Sequence, residues 1–466
     1  MGSSQGWFVD TVTDTIGAIA SPVGTGGIAI VRLSGADALR IAGRMIRLKR
    51  RGSVPAMKSW SMALADVLDM GSGRVVDECI VLAMRAPRSY TGEDVVEIQC
   101  HGGVVVAEKV LSLAFRLGTR PALPGEFTKR AFINGRITLD EAEAVLDIVT
   151  SASEESLFQA GRRLKGELGS MVEKWETQIV DLLALLQGSI DFPETIEADK
   201  SDIQDLLAGL SHDIGAVLER APLGLALSQG VEVCLVGRPN VGKSSLFNAL
   251  LARERAIVTD IPGTTRDVLR EPTEWYGLPV ALLDTAGLRE TEEVVEALGV
   301  ERAQTAAVES NVILYVLDDT QGIYDEDVQW LSKWQNRNCL AVVTKVDLMK
   351  QQVDLKLLRD ICQDRWVRAS GATGFGIEGL KKKVQSMFAS LGDPEALAPG
   401  SARQVDCLGR ALGEIQRALG YLNQGWTDDV IVLALEEAAG SLMELTGKKV
   451  SGETLDRIFS RFCVGK

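Results

Sequence analysis

The sequence predicts a multidomain chain of the α/β plus α class. An α+β domain comes first, followed by an all-α helical domain into which a doubly wound, mostly parallel sheet is inserted. Three observations carry this. Residues 1–136 mix short β-type runs, Gly27-Ile-Ala-Ile-Val-Arg32 and Val95-Val-Glu-Ile-Gln99, with glycine pairs and a few helices. Beyond Leu139, Leu164, Leu168, Val172, Trp175, Ile179, Leu182, Leu183 and Leu186 recur at three- and four-residue intervals as one apolar stripe. Between about 230 and 386, apolar runs end in polar, glycine-bearing turns, as at the carboxyl edge of a parallel sheet.

Taken in order, the segments are the α+β domain 1–136, helical segment 137–229, inserted domain 230–386 and second helical segment 387–466. Gly392-Asp-Pro-Glu-Ala-Leu-Ala-Pro-Gly400 reads as the linker out of the insertion, and helical periodicity resumes near Arg403. Insertion is economical because the two ends of such a domain can lie close together at its surface. The 466 residues suit about three domains at ~150 each. With 46% hydrophobic and 24% charged residues, the composition is that of a soluble globular protein. No run approaches the ~18 apolar residues that span a bilayer. Met1-Gly-Ser-Ser-Gln-Gly6 reads as neither a signal peptide nor an acylation site. Seven scattered cysteines without a C-x-x-C pair fit a reducing cytoplasm, not a disulfide framework or zinc site. His101 and His212 are too few for a histidine-rich metal site. A formal net charge of −14 means that any nucleic-acid contact is local or shared with a partner. The visible basic runs are Arg47-Leu-Lys-Arg-Arg51 and Lys381-Lys-Lys383, which also read as solvated faces or helix ends.

Gly237-Arg-Pro-Asn240-Val241-Gly242-Lys243-Ser244 is a complete phosphate loop between the strand run Val231–Val236 and a helix run opening at Ser245. Strand, tight turn and helix N-terminus aim backbone N–H groups at a polyphosphate, with Lys243 on the outer phosphates and the Ser244 hydroxyl on Mg²⁺. Asp284-Thr285-Ala286-Gly287 ends the run Val280–Leu283. Asp284 there holds the Mg²⁺ shell through water, while the Gly287 N–H senses the γ-phosphate. Of the intervening Thr264-Thr265 pair, Thr265 is better placed as the second protein ligand of Mg²⁺. Leu340–Val343 leads into Thr344-Lys345-Val346-Asp347. The Asp347 carboxylate accepts from guanine N1–H and the N2 amine, donors that adenine lacks. Thr344 stands where asparagine is usual and brings one donor fewer. Ser370-Gly371 offers backbone groups to the guanine O6. Together these elements specify guanine nucleotide binding. Leu288 occupies the place where many GTPases carry a water-orienting glutamine, and the loop shows no arginine aimed at a transition state. Asn240 reads either as a turn former or as a ligand for a monovalent cation between the α- and γ-phosphates.

With Thr259-Asp260-Ile261-Pro262-Gly263-Thr264-Thr265-Arg-Asp267, Asp284-Thr-Ala-Gly-Leu-Arg-Glu290 and the terminal Phe462-Cys-Val-Gly-Lys466, these motifs resemble the MnmE (TrmE) family of tRNA-modifying GTPases. The resemblance covers essentially the whole chain, including Arg32-Leu-Ser-Gly35, Thr91–Glu97, His101-Gly-Gly103, Pro124-Gly-Glu-Phe127 and Ile190-Asp-Phe-Pro193. It implies a Ras-like P-loop G domain in which GTP is held by residues 240–245, 259–265, 284–287, 344, 345, 347, 370 and 371. Hydrolysis then follows when two G domains of a homodimer meet. The resemblance further implies a K⁺ site formed by Asn240, Thr259, Ile261 and Thr264, and Glu296 as the group that orients the attacking water. Glu296, Thr265 and Gly287 are thus the catalytic candidates. Read alone, Arg32, Glu97 and Arg136 are strand-edge charges. By resemblance they join Lys466 in a site for 5-formyl-tetrahydrofolate or a related reduced folate, on a dimerisation domain similar to those of one-carbon enzymes. Arg136 stands where relatives can have lysine, which departs in geometry if not in charge. The implied reaction is a 5-carboxymethylaminomethyl-type modification of the wobble uridine of certain tRNAs. It is carried out with an FAD- and NADH-dependent partner, MnmG, in a heterotetramer, with neither DNA nor membrane as a partner.

Two other readings compete. One is a potassium-type ribosome-assembly GTPase, a switch without modification chemistry, which would need neither a folate pocket nor the Phe462–Lys466 tail. The other is an acidic scaffold with a vestigial nucleotide site, which the intact Gly242-Lys243-Ser244 and Asp284 oppose.

Overall fold

The structure, a computed structural model, describes residues 14–22, 24–194, 199–251, 269–284, 306–350, 352–389, 393 and 396–466. The chain divides into two compact units, Met1–Leu146 with Thr446–Lys466, and Asp147–Leu445.

The first unit is built on a seven-stranded sheet of β1 (Ile16–Ile19), β2 (Ile28–Ser34), β3 (Ile46–Leu48), β4 (Ser61–Leu68), β5 (Val75–Met84), β6 (Val95–His101) and β7 (Arg120–Pro121), in the order β3-β4-β5-β6-β2-β1-β7. Strand alternation sorts the side chains by face. Val31 and Leu33 of β2, Val81 of β5 and Ile98 of β6 are fully buried, in one core with Ile41 and Met45 of the helix Ala38–Met45 and Val110 of the helix Val104–Arg116. Residues between them on β2 and β6 take the other face, which puts Arg32 directly opposite Glu97. The helix Gly452–Phe459, capped by Ser451 on the Thr454 N–H, brings Phe459 and Phe462 against Leu139 and Ala142 in a separate apolar cluster.

In the second unit, the helices Glu154–Leu164, Glu167–Asp191, Lys200–Leu218, Ala221–Gln229, Ala402–Asn423 and Asp428–Thr446 provide the all-α part. Its core joins Leu168, Val172, Trp175, Ile179, Leu182 and Leu186 to Ile214, Leu408, Ile415 and Leu435. The expected stripe loses its first member. Gly166 takes φ 75° and breaks the helix, leaving Leu164 at the end of the preceding one and 38% exposed. Leu183 is only partly buried.

The sheet of this unit runs β13-β12-β11-β8-β10-β9, with β8 (Val231–Val236), β9 (Leu269–Trp275), β10 (Leu278–Asp284), β11 (Val312–Asp318), β12 (Cys339–Thr344) and β13 (Trp366–Arg368). All neighbours are parallel except β9 with β10. Helices cover both faces, so β11 and β12 are buried along their whole length. β8 lies between β10 and β11, and the chain winds away from it in opposite directions. That switch point opens a crevice at the carboxyl end of β8, where residues 237–244 follow. Among the described residues no helix is long and apolar enough to cross a membrane.

Candidate functional site

The phosphate loop is held by its neighbours at every turn. Asn240 adopts φ 62°, a left-handed conformation that asparagine tolerates better than most side chains, and is exposed. Its carbonyl accepts from Lys345 Nζ at 2.7 Å, and that ammonium also donates to Asp318 Oδ2 at 2.7 Å. Burial pushes the Asp318 carboxyl up, but Lys345 and Thr320 together hold it below the usual carboxylate range. Thr344 is buried, and its hydroxyl faces two carbonyls, Val241 O at 2.5 Å and Leu317 O at 2.9 Å. The hydroxyl in the asparagine place therefore ties the loop to β11 and β12. Gly242 turns with φ 100°, and a Cβ there would meet Thr344 Oγ1 at 3.3 Å. Lys243 Nζ donates to Gly237 O and Arg238 O, each at 2.7 Å. The helix Lys243–Leu251 begins here, with Ser244 and Ser245 exposed on its first turn. Arg238 is turned aside: its guanidinium lies 3.8 Å from the Tyr324 ring centroid and 3.1 Å from Asp327 Oδ1.

On the base side, Asp347 is exposed on the short turn Val346–Leu348, next to Lys345 in the left-handed region. The Ala369 N–H donates to Val343 O, and Ser370 is buried with its hydroxyl accepting from the Thr373 N–H. Gly371 lies so close to the helix start that a Cβ would sit 2.5 Å from the Ser245 carbonyl carbon. The geometry thus brings Asn240–Ser245, Thr344, Lys345, Ser370 and Gly371 to one edge of the sheet. Asp284 ends β10 beside Leu235 of β8, and its side chain lies outside the described residues. Thr259, Asp260, Ile261, Pro262, Gly263, Thr264, Thr265, Thr285, Ala286, Gly287 and Glu296 also lie outside them. Backbone N–H groups at a helix start, an adjacent ammonium and an exposed hydroxyl at Ser244 form a donor set that fits a nucleotide polyphosphate with Mg²⁺. Asn240, exposed on the same loop, offers an amide oxygen suited to K⁺.

Sequence reasoning missed Asp318, Asp319 and Arg368. Asp319 pairs with Arg368 at 3.0 Å, and its N–H donates to Thr344 O, so the strand end braces the base-side loops. The available signal was the apolar run Val312–Leu317 ending in two aspartates.

The first unit holds a second constellation. Arg32 Nε and Nη2 both lie 2.8 Å from Glu97 Oε1, and Nη1 donates to Gly465 O at 3.2 Å. Tyr90 and Phe127 flank the guanidinium, with ring centroids 5.3 and 5.6 Å away. The tail is fixed by its backbone, with Phe127 N–H donating to Lys466 O and Gly125 N–H to Cys463 O. Burial, then the neighbouring Arg32 charge, lowers the Lys466 ammonium below its ordinary value. The Arg32–Glu97 pair lies between aromatic faces, with the Lys466 ammonium feeling the Arg32 charge, a set that fits a flat, polar, anionic ligand such as a reduced folate. Arg136 donates to Ser89 O at 3.1 Å, on the loop that carries Tyr90. Cys463 is exposed, unlike the other cysteines. Close by in sequence, Asp140 is fully buried, accepts from the Thr138 hydroxyl at 2.6 Å, and is pushed by burial up to about 6.

Residues 15–136 match the family model described as GTP-binding protein TrmE N-terminus, and residues 139–463 match the MnmE helical domain. Proteins named tRNA modification GTPase MnmE align along nearly their whole length. That of Carboxydothermus hydrogenoformans is 40% identical over 462 residues, 97% of this chain and 99% of its own. That of Symbiobacterium thermophilum is 41% identical over 458 residues, 97% of this chain and 99% of its own. The Bacillus subtilis protein is 37% identical over 459 residues, 97% of this chain and 100% of its own.

Proposed function

The chain belongs to the MnmE family of tRNA modification GTPases, and from that premise we propose a division of labour between its two sites. The protein is a GTP hydrolase that acts in tRNA modification. In our reading, residues 230–386 are the G domain and hydrolyse GTP with Mg²⁺ held by Ser244 and Thr265. K⁺ is held by Asn240, Thr259, Ile261 and Thr264, and supplies the positive charge that other GTPases take from an arginine. Glu296 orients the attacking water. Hydrolysis requires two G domains of a homodimer to meet. Asp347 reads guanine.

Residues 1–136, with Lys466, hold the reduced folate through Arg32, Glu97 and Arg136. When bound, the folate supplies a one-carbon unit to C5 of the wobble uridine. Arg32 and Lys466 orient its polar ends, and Glu97 accepts from ring N–H groups. The flavin chemistry belongs to an MnmG-like partner, and the complex works in the cytoplasm. The observation that carries the nucleotide half is the phosphate loop at the switch point of a parallel sheet, with Asn240 left-handed, exposed and anchored through its carbonyl by Lys345.

The test is hydrolysis of GTP and ATP in K⁺ and in Na⁺ at matched ionic strength. GTP alone should turn over, faster in K⁺, and Asn240→Ala should remove most of the K⁺ response while nucleotide binding survives. Equal rates in the two salts would contradict the cation site.

A further inference from the structure

Most members of the two basic runs visible in the sequence are engaged in local contacts, Arg50 and Arg51 being exposed. Arg47 and Lys49 both pair with the buried carboxylate of Asp66, and Lys49 also pairs with Glu78. Lys381 is buried beside Glu378, Lys382 lies over the Tyr276 ring, and Lys383 donates to the Asp364 and Trp366 carbonyls. A different set of cations, scattered in sequence, converges in the second unit. Arg162, Lys165, Lys174 and Arg220 line a cavity of about 550 Å³, with Glu167 as its one carboxylate. Glu167 is engaged by Arg162 at 2.6 Å, which holds it below the usual carboxylate range. Arg220 reaches the Leu397 carbonyl at 3.5 Å. Lys165 and Lys174 are exposed and form no ion pair among the described residues.

Four cations against one carboxylate stand out in a chain whose net charge is −14. Helix ends account for three of them, since Arg162 and Lys165 close the helix Glu154–Leu164 and Arg220 follows the end of Lys200–Leu218. They do not account for Lys174, within the next helix, or for three separate helices bringing their cations to one cleft. A site for a small anion would bring buried donors to one point. Here two exposed lysines and two half-buried arginines line the cleft, a layout that suits successive phosphates of a polymer.

We propose that this cleft binds the phosphate backbone of the tRNA substrate, an inference that rests on the reading of tRNA as substrate given above. It reconciles an acidic protein with a polyanionic substrate by concentrating the contact in one place. The experiment titrates a fluorescent tRNA with the full-length protein by anisotropy, from low to moderate salt. Lys165→Glu combined with Lys174→Glu should weaken binding at least ten-fold and flatten the log K against log [salt] slope by about 1.5, at ~0.7–0.9 per phosphate contact. GTP hydrolysis without tRNA should be unchanged, showing that the variant folds. The pair Lys58→Glu and Lys356→Glu, exposed elsewhere, changes net charge equally and should bind as the parent does. Lys165→Arg with Lys174→Arg should retain affinity. Equal binding by parent and cleft variant, or equal losses in both reversal pairs, would overturn the site. Failure of the parent itself to bind tRNA would also overturn the site, whereas the substrate reading beneath it fails only if wobble uridines are unaltered in a strain lacking this gene.

Discussion

The nucleotide site and the folate site proposed beside the tail are built on opposite plans. At the first, the ligand-facing groups are mostly backbone, shaped by turns at strand ends and tied from behind by Thr344 and Lys345. At the second they are side chains, set by a cross-strand pair, Arg32 with Glu97, and closed by a segment 433 residues away. A backbone site is damaged by adding atoms, whereas a side-chain site is damaged by removing them. The two plans also differ in what a sequence displays. Backbone recognition forces glycines and a fixed spacing into one short stretch. Side-chain recognition can draw its members from anywhere the fold brings together.

The comparison can be broken at its strongest point with Gly242→Val. The added side chain meets φ 100° and the Thr344 hydroxyl, and GTP affinity should fall about 10²-fold, ~2.7 kcal/mol, by titration. Reduced-folate binding should be untouched. The reverse experiment is Arg32→Ala, which removes the Glu97 partner and the Gly465 carbonyl's donor. Folate retention through dialysis should drop roughly ten-fold, and hydrogen exchange near residue 465 should rise, while GTP turnover stays at the parental rate. Loss of GTP turnover in this variant would show that the two sites are not separable as described.

Asp140 sharpens the contrast through pH. Its folded-state value of about 6 lies above the ordinary 3.8, so the folded chain holds this proton more tightly than the unfolded chain. The linked stability is fully present below about pH 4 and is lost as pH rises through about 6. Asp140→Asn removes the buried charge and should stabilise the protein at pH 7 by roughly 1–3 kcal/mol, with a flatter Tm profile between pH 4 and 6. An unchanged profile would show that Asp140 carries no loss of stability on raising pH. The smallest effect is expected for Thr344→Asn. The amide brings a second donor to the carbonyls of Val241 and Leu317, so GTP affinity should change by less than about three-fold. A large loss would mean that the threonine hydroxyl does more than tie the loop.

The sequence made the nucleotide half readable because its constraints are local. The run Val231–Val236, the loop and the following helix lie together in the chain and in the fold. What it hid was set by tertiary contact. The strand Val312–Asp318 ends in Asp318 with Asp319 just after it, yet these aspartates show their purpose only once Lys345 and Arg368 are brought to them. The apolar stripe was read one residue too long because Leu164 keeps the spacing of the helix after Gly166 without belonging to it. Charge was the most misleading signal. Contiguous basic runs are easily seen and in large part engaged locally, whereas the cations of the cleft come from three segments. Tail residues 463–466 were legible only as part of a resemblance, since nothing in their pattern foretells contact with β2.

The most direct test of the whole account is nucleoside analysis of tRNA from a strain lacking this gene. Wobble uridines of the affected tRNAs should lose their 5-carboxymethylaminomethyl-type modification, regain it with the parental gene, and fail to regain it with Lys243→Ala, whose side chain can no longer reach the outer phosphates. Unaltered wobble uridines in the deletion strain, or full restoration by Lys243→Ala, would contradict a GTP-driven role in tRNA modification.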